Sequence, residues 1–136
     1  MMAAIPWEKL FEVAKQARQN AYAPYSNFQV GAALLADDGT IYPGANVENS
    51  SYGLAICAER NAFSRAVIEG RKNIVAVAIV VDTPVPTPPC GMCRQTMAEF
   101  GEGTMQVRSR NLEGVELTTT LAELLPHAFT KEWLKK

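Results

Sequence analysis

The sequence predicts an α/β fold, a three-layer α-β-α sandwich around a five-stranded mixed sheet, in one domain over residues 1–136. Three observations carry that expectation. Helical and strand periodicities alternate along the chain in the order α-β-β-α-β-α-β-β-α. The run at 74–81 is almost wholly apolar and β-branched, the composition of a central strand covered on both faces. Asp37-Asp38-Gly39 is a hairpin turn that places an antiparallel pair at one end of the sheet.

Residues 7–21 read as an amphipathic helix. Leu10, Ala14, Ala17 and Ala21 recur at helical spacing, while Glu8, Lys9, Glu12, Gln16 and Gln19 take the wet side. Pro24 breaks it, because neither proline nor the residue before it suits a helix. A largely apolar strand follows at 28–36, and after the turn 40–47 returns as its partner. Residues 57–70 form a second helix, with Ala58, Ala62, Ala66 and Phe63 or Val67 inward and Gly70 as its stop. Strand 74–81 leads into 82–89, a rigid loop holding four of the eight prolines. A third helix runs 90–100, ahead of Gly101 and Gly103. Strands at 104–109 and 115–118 and a short helix at 121–125, ended by Pro126, complete the chain. No repeat, low-complexity tract or boundary divides it.

The chain has 48% hydrophobic and 20% charged residues and a net charge of -1. That composition fits a globular domain large enough to bury a core. It gives little electrostatic support for a polyanion, so the expected partner is a small molecule and not nucleic acid. No apolar run reaches the ~20 residues that span a bilayer. The start of the chain, Met1-Met2-Ala3-Ala4-Ile5-Pro6, lacks a basic region followed by an apolar one. Three cysteines cannot complete a disulfide framework. A reducing, cytoplasmic setting is expected.

All three cysteines fall in two short phrases, Cys57-Ala58-Glu59 and Pro89-Cys90-Gly91-Met92-Cys93, each opening a helix. A Cys-x-x-Cys at a helix start aims two sulfurs, one turn apart, at a common centre. The positive end of a helix also lowers the energy of a thiolate. Three thiolates leave the fourth position of a tetrahedral zinc open, the arrangement of a catalytic rather than a structural metal. Glu59, two residues from the first ligand, is placed to carry protons. Three thiolates overcompensate Zn²⁺ by one charge. Arg60 is the candidate to offset it, with Arg94 the other possibility.

Other readings of the same residues exist. A redox pair would need neither a third cysteine nor a neighbouring glutamate. A structural zinc would need a fourth ligand, which only His127, the single histidine, offers. Cys57 on its own could be an apolar filler.

The two phrases match the Cys-x-Glu…Pro-Cys-x-x-Cys signature of zinc deaminases, and the chain resembles the small cytidine deaminases well beyond it. The resemblance runs through Ala21-Tyr22-Ala23-Pro24-Tyr25-Ser26-Asn27-Phe28-Gln29-Val30-Gly31-Ala32, Asn46-Val47-Glu48-Asn49, Cys57 to Arg60, Pro89 to Gln95, and Leu124-Leu125-Pro126-His127-Ala128-Phe129. It implies one zinc per subunit on Cys57, Cys90 and Cys93, with Glu59 as proton shuttle. It implies that Phe28 packs on the pyrimidine, that the Ala58 backbone reads the base edge, and that Asn46 and Glu48 take the sugar hydroxyls. It further implies a homotetramer whose sites are completed by neighbours, with Tyr52 and Phe129 the positions concerned. Met92 stands where smaller residues are familiar in that family.

Read alone, Phe28 is a core residue, Asn46 and Glu48 share a strand face, Tyr25 and Tyr52 are packing residues, Phe129 covers the core, and Gln95 is an exposed helix side chain. The expected activity is hydrolytic deamination of cytidine and 2′-deoxycytidine in pyrimidine salvage. The alternatives are deamination of a cytosine nucleoside antibiotic, of a polynucleotide, or a non-catalytic zinc-stabilised binding module. A polynucleotide fits poorly without a basic groove. Glu59 distinguishes an enzyme from a module, because a structural zinc gains nothing from it.

Overall fold

Helix α1 (Trp7–Arg18) lies over one face of a sheet whose strands are β1 (Val30–Ala36), β2 (Ile41–Ala45), β3 (Ile74–Val81), β4 (Gln106–Asn111) and β5 (Glu116–Thr120). On the other face are α2 (Ala58–Ile68), α3 (Gly91–Glu99) and the short α4 (Leu121–Leu124). The computed structural model describes residues 4–135. Met1 to Ala3, part of the stretch read for a secretory pattern, and Lys136 lie outside the described residues. Among the described residues no helix is long and apolar enough to cross a membrane.

The strand order is β2-β1-β3-β4-β5. Only β3 and β4 run parallel; β1–β2, β1–β3 and β4–β5 are antiparallel, which makes the sheet mixed and open. The expected hairpin occupies one edge, and β4–β5 forms a second hairpin at the other. Pro43 sits in edge strand β2, where its missing N–H costs nothing to the ladder. Seven residues of the central strand β3 are buried and Val75 is half-buried, as its composition requires.

Alternation along the strands divides the core in two. Ala33, Leu35, Ala76, Ala78 and Val80 meet Leu10, Phe11 and Ala14 of α1. Leu34, Val77, Ile79, Val81 and Val107 meet Ala62, Phe63 and Ala66 of α2 and Cys93 and Met97 of α3. Phe63, rather than Val67, takes the inward place on α2. Gly70 stops that helix as expected, at φ +88°: the Arg71 N–H reaches the Ala66 carbonyl and the Gly70 N–H the Val67 carbonyl.

Several elements are shorter than the periodicity suggested: β2 stops at Ala45, α2 at Ile68 and α3 at Glu99, and β4 lies two residues later than expected. Helix α1 ends at Arg18 because the next N–H groups bond three residues back, and Tyr22 then turns to bond Asn46. Strand β1 begins at Val30, since Phe28 and Gln29 belong to the preceding loop. The turns Tyr52–Leu54 and Lys131–Leu134 are short 3₁₀ segments with no periodic signature.

Candidate active site

Cys57 and Cys90 are the N-cap residues of α2 and α3, and Cys93 lies in the first turn of α3. Their backbones are extended, while their carbonyls already accept the first helical bonds, from Asn61 at 3.1 Å and Arg94 at 3.0 Å. The two helix starts therefore converge on one point. Cys57 Sγ is 3.6 Å from Cys90 Sγ, and Cys90 Sγ is 3.5 Å from Cys93 Sγ. A tetrahedron with Zn–S bonds near 2.3 Å has S···S edges of about 3.8 Å, so the sulfurs fit a zinc ion. All three cysteines are free. Among the described residues these three form the group able to hold a metal, and His127 is not part of it.

Glu59 is the second residue of α2, and only 5% of its surface is exposed. Burial pushes its carboxyl above the usual carboxylate range, and the negative charge of Cys57 adds to the rise. Its own backbone N–H, Cys93 and Arg60 pull the other way. A carboxyl that takes up a proton more readily than an exposed one suits acid–base work near neutral pH.

Arg60 reaches back over the same turn. Its Nη2 donates to the Ala55 carbonyl at 3.4 Å and to Cys57 Sγ at 3.7 Å. Cys57 is held down to about pKa 5, first by the Cys93 thiol and then by Arg60 and Cys90 against its burial. Cys93 is pushed the other way, upward, by that contact and by burial. Arg94 does not share the task. Its Nε donates to the Pro89 carbonyl and its Nη1 to the Leu124 carbonyl, both at 2.8 Å, tying the start of α3 to α4.

Next to the sulfur cluster lies the segment 46–48. Val47 pairs with Ile56, the residue before Cys57, on one side and with Tyr22 on the other. Asn46 and Glu48, flanking Val47, both turn to the loop 22–28. The Asn46 amide donates to the Phe28 carbonyl at 2.7 Å and accepts from the Val30 N–H at 2.8 Å. Glu48 Oε1 accepts the N–H groups of Tyr25 at 3.0 Å and Ser26 at 3.2 Å, and its Oε2 accepts the Ser26 hydroxyl. The Ser26 hydroxyl above all, helped by the Ser26 and Tyr25 N–H groups, holds Glu48 below the usual carboxylate range against an opposing desolvation.

Phe28 is 40% exposed, so its ring is not in the core. Tyr52 and Phe129 are more open still, at 76% and 61%. Tyr25 and Tyr52 meet edge to face with ring centres 5.8 Å apart. Gln95 fastens the tail by donating from Nε2 to the Phe129 carbonyl at 2.7 Å.

The family model for the "Cytidine and deoxycytidylate deaminase zinc-binding region" matches residues 6–109, which include all three cysteines. The chain belongs to the cytidine and deoxycytidylate deaminase family. It is 56% identical over 125 residues to a cytidine deaminase of Sporosarcina psychrophila, covering 92% of each chain. It is 54% identical over 125 residues to that of Halalkalibacterium halodurans, covering 92% of this chain and 95% of the other. The crystal structure of cytidine deaminase from Burkholderia pseudomallei superposes with a TM-score of 0.88 at 48% identity, covering 92% of this chain and all of that one.

Membership makes zinc the cofactor of this deaminase, and the cysteine cluster is fitted to hold it. Three residues around these groups were given no role by the sequence alone. Gly44 lets β2 approach α2 so closely that a Cβ there would lie 2.3 Å from the Ala58 carbonyl oxygen. Asn61 ties α2 to the end of β2 through the Ala45 carbonyl, at 2.8 Å. Ser26 binds Glu48. The available signal was a serine next to an asparagine in a proline turn, which marks a side-chain-capped loop without naming its partner.

Proposed function

We propose that this chain is a zinc-dependent hydrolase that converts cytidine and 2′-deoxycytidine to uridine and 2′-deoxyuridine with release of ammonia. The pairing that carries this is a three-thiol cluster with a buried carboxyl two residues from one of its members. A zinc ion held by Cys57, Cys90 and Cys93 would supply a Lewis acid that acidifies water at neutral pH. Glu59 takes one proton from the attacking water and passes it to ring N3; it then carries the second, from the hydroxyl now on C4, to the exocyclic amine, so that the C4–N bond breaks, the C4 carbonyl forms and ammonia leaves. Arg60 offsets the excess charge of the thiolates.

Phe28 packs against the pyrimidine, the Ala58 backbone reads the base edge, and Asn46 and Glu48 take sugar hydroxyls. Asn46 retains one amide hydrogen and one lone pair beyond its backbone bonds, which leaves it able to do so. Tyr52 and Phe129 are exposed in the single chain, and a homotetramer with one zinc per subunit would cover them and complete each site from a neighbour. The whole chain, 1–136, acts as one deaminase domain. A cytoplasmic enzyme of pyrimidine salvage is consistent with three free thiols, which a reducing compartment preserves.

The test is the loss of the cytidine ultraviolet chromophore with and without a chelator. Loss that is abolished by the chelator and restored by zinc is expected; a protein that leaves cytidine unchanged when loaded with zinc is not this enzyme.

A further inference from the structure

One hydroxyl group joins the two halves of the nucleoside pocket proposed above. Ser26 Oγ has a single hydrogen, and its two neighbours dictate where it goes. The carboxylate of Glu48 can only accept, and the N–H of Phe28 can only donate. The hydroxyl therefore gives its hydrogen to Glu48 Oε2 and accepts the Phe28 N–H at 3.0 Å. The Phe28 peptide is thereby held at both ends, by Ser26 at its nitrogen and by Asn46 at its carbonyl, 2.7 Å away. Glu48 in turn receives three donors from two consecutive residues. An ionised carboxylate has about four acceptor sites, so one remains for a hydroxyl of the substrate.

We propose that Ser26 is a positioning residue that fixes the Glu48 carboxylate for the sugar and, through the same oxygen, the Phe28 peptide for the base. This rests on the roles given to Glu48 and Phe28 under the proposed function. Asn27 supports it: at φ +58° it adopts the left-handed conformation that asparagine tolerates, and its N–H bonds the Ala23 carbonyl at 3.0 Å. That closed turn presents two successive N–H groups and one hydroxyl to a single side chain. Ser26 is exposed, which leaves room for the methyl group of threonine.

The test compares cytidine with 2′,3′-dideoxycytidine, which lacks the 2′- and 3′-hydroxyls, on the zinc-loaded protein and on Ser26→Ala, Ser26→Thr, Glu48→Ala and the double variant. Ser26→Ala is expected to raise the KM for cytidine about tenfold, as for one lost bond to a charged group, with kcat little changed. The ratio of kcat/KM for the two nucleosides should shrink in Ser26→Ala, recover in Ser26→Thr, and fall no further in the double variant than in Glu48→Ala. A ratio that shrinks in Glu48→Ala but not in Ser26→Ala overturns the proposal and leaves Glu48 on the sugar. A ratio untouched by Glu48→Ala overturns the sugar role itself. Equal losses on both nucleosides in Ser26→Ala reduce Ser26 to a fold-stabilising residue and overturn the proposal too.

Discussion

Arg60 Nη2 stands 3.7 Å from the sulfur of Cys57, the residue that caps the helix on which both lie. A guanidinium and a helix N-terminus thus bear on the same thiolate, and each lowers its energy. Removing the guanidinium should leave the three sulfurs in place but return their full charge to the metal. Arg60→Gln is expected to keep one zinc per chain and to lose roughly 10–100-fold in kcat, the usual cost of a lost partner behind the ligands. Metal analysis alongside steady-state kinetics checks this. An unchanged kcat would remove Arg60 from the chemistry.

Glu59 is buried with its carboxyl raised, and it is not one of the three groups placed to hold the metal. Glu59→Ala should therefore fold and bind zinc while losing at least ~10²–10⁴ in turnover, the range for a lost proton carrier. Near-normal release of ammonia from cytidine by this variant would contradict its role.

The metal end of the site was legible in the sequence because its geometry is local. Cys57, Cys90 and Cys93 need only two helix starts, and helix starts leave marks in sequence. The residues proposed for the sugar were singled out only through resemblance. Asn46 and Glu48 were expected to share a strand face, but β2 stops at Ala45, and both side chains bond a loop about twenty residues earlier in the chain. Phe28 heads an apolar run and so looks like core, yet Asn46 and Ser26 hold its peptide outside the ladder, and its ring is open. Arg94 sits as near the ligands in sequence as Arg60, and only the positions of two carbonyl groups assign it elsewhere. Nothing local to the chain specifies such long-range partners.

Gly44 carries a prediction of its own. A Cβ at this position would lie 2.3 Å from the Ala58 oxygen and 2.7 Å from the Ala62 nitrogen, both backbone atoms that cannot swing away. Gly44→Ala must part β2 from α2, at about 1–3 kcal/mol as for overpacked cores. Because Ala58 follows Cys57, zinc affinity should fall with it. Urea unfolding and a competitive zinc titration measure the two effects, and an unshifted urea midpoint would rule out the close approach.

On the opposite face, Arg110 donates to Glu8 at 2.9 Å and to Glu116 at 2.7 Å, with its guanidinium 4.0 Å from the Phe11 ring centre. Arg110 holds Glu8 below its usual 4.5. At Glu116 burial acts upward, but Thr118, Arg110 and Arg108 outweigh it and the value is again lowered. A carboxyl whose folded value is depressed stabilises the fold above its unfolded value, and that stability fades as pH falls through the folded value. The urea-midpoint gap between wild type and Arg110→Gln should be widest near pH 7 and narrow below about pH 4. A residual gap in acid is the stacking on Phe11. A gap that widens in acid would reverse the assigned sign.

The central claim is that three thiols and one buried carboxyl make a zinc-dependent deaminase. Titrating zinc into metal-free protein while following ammonia release from cytidine tests it most directly. Activity should rise in proportion to bound zinc and break at one ion per chain. Ammonia release that ignores added zinc, or zinc that binds stoichiometrically without any release, would contradict it.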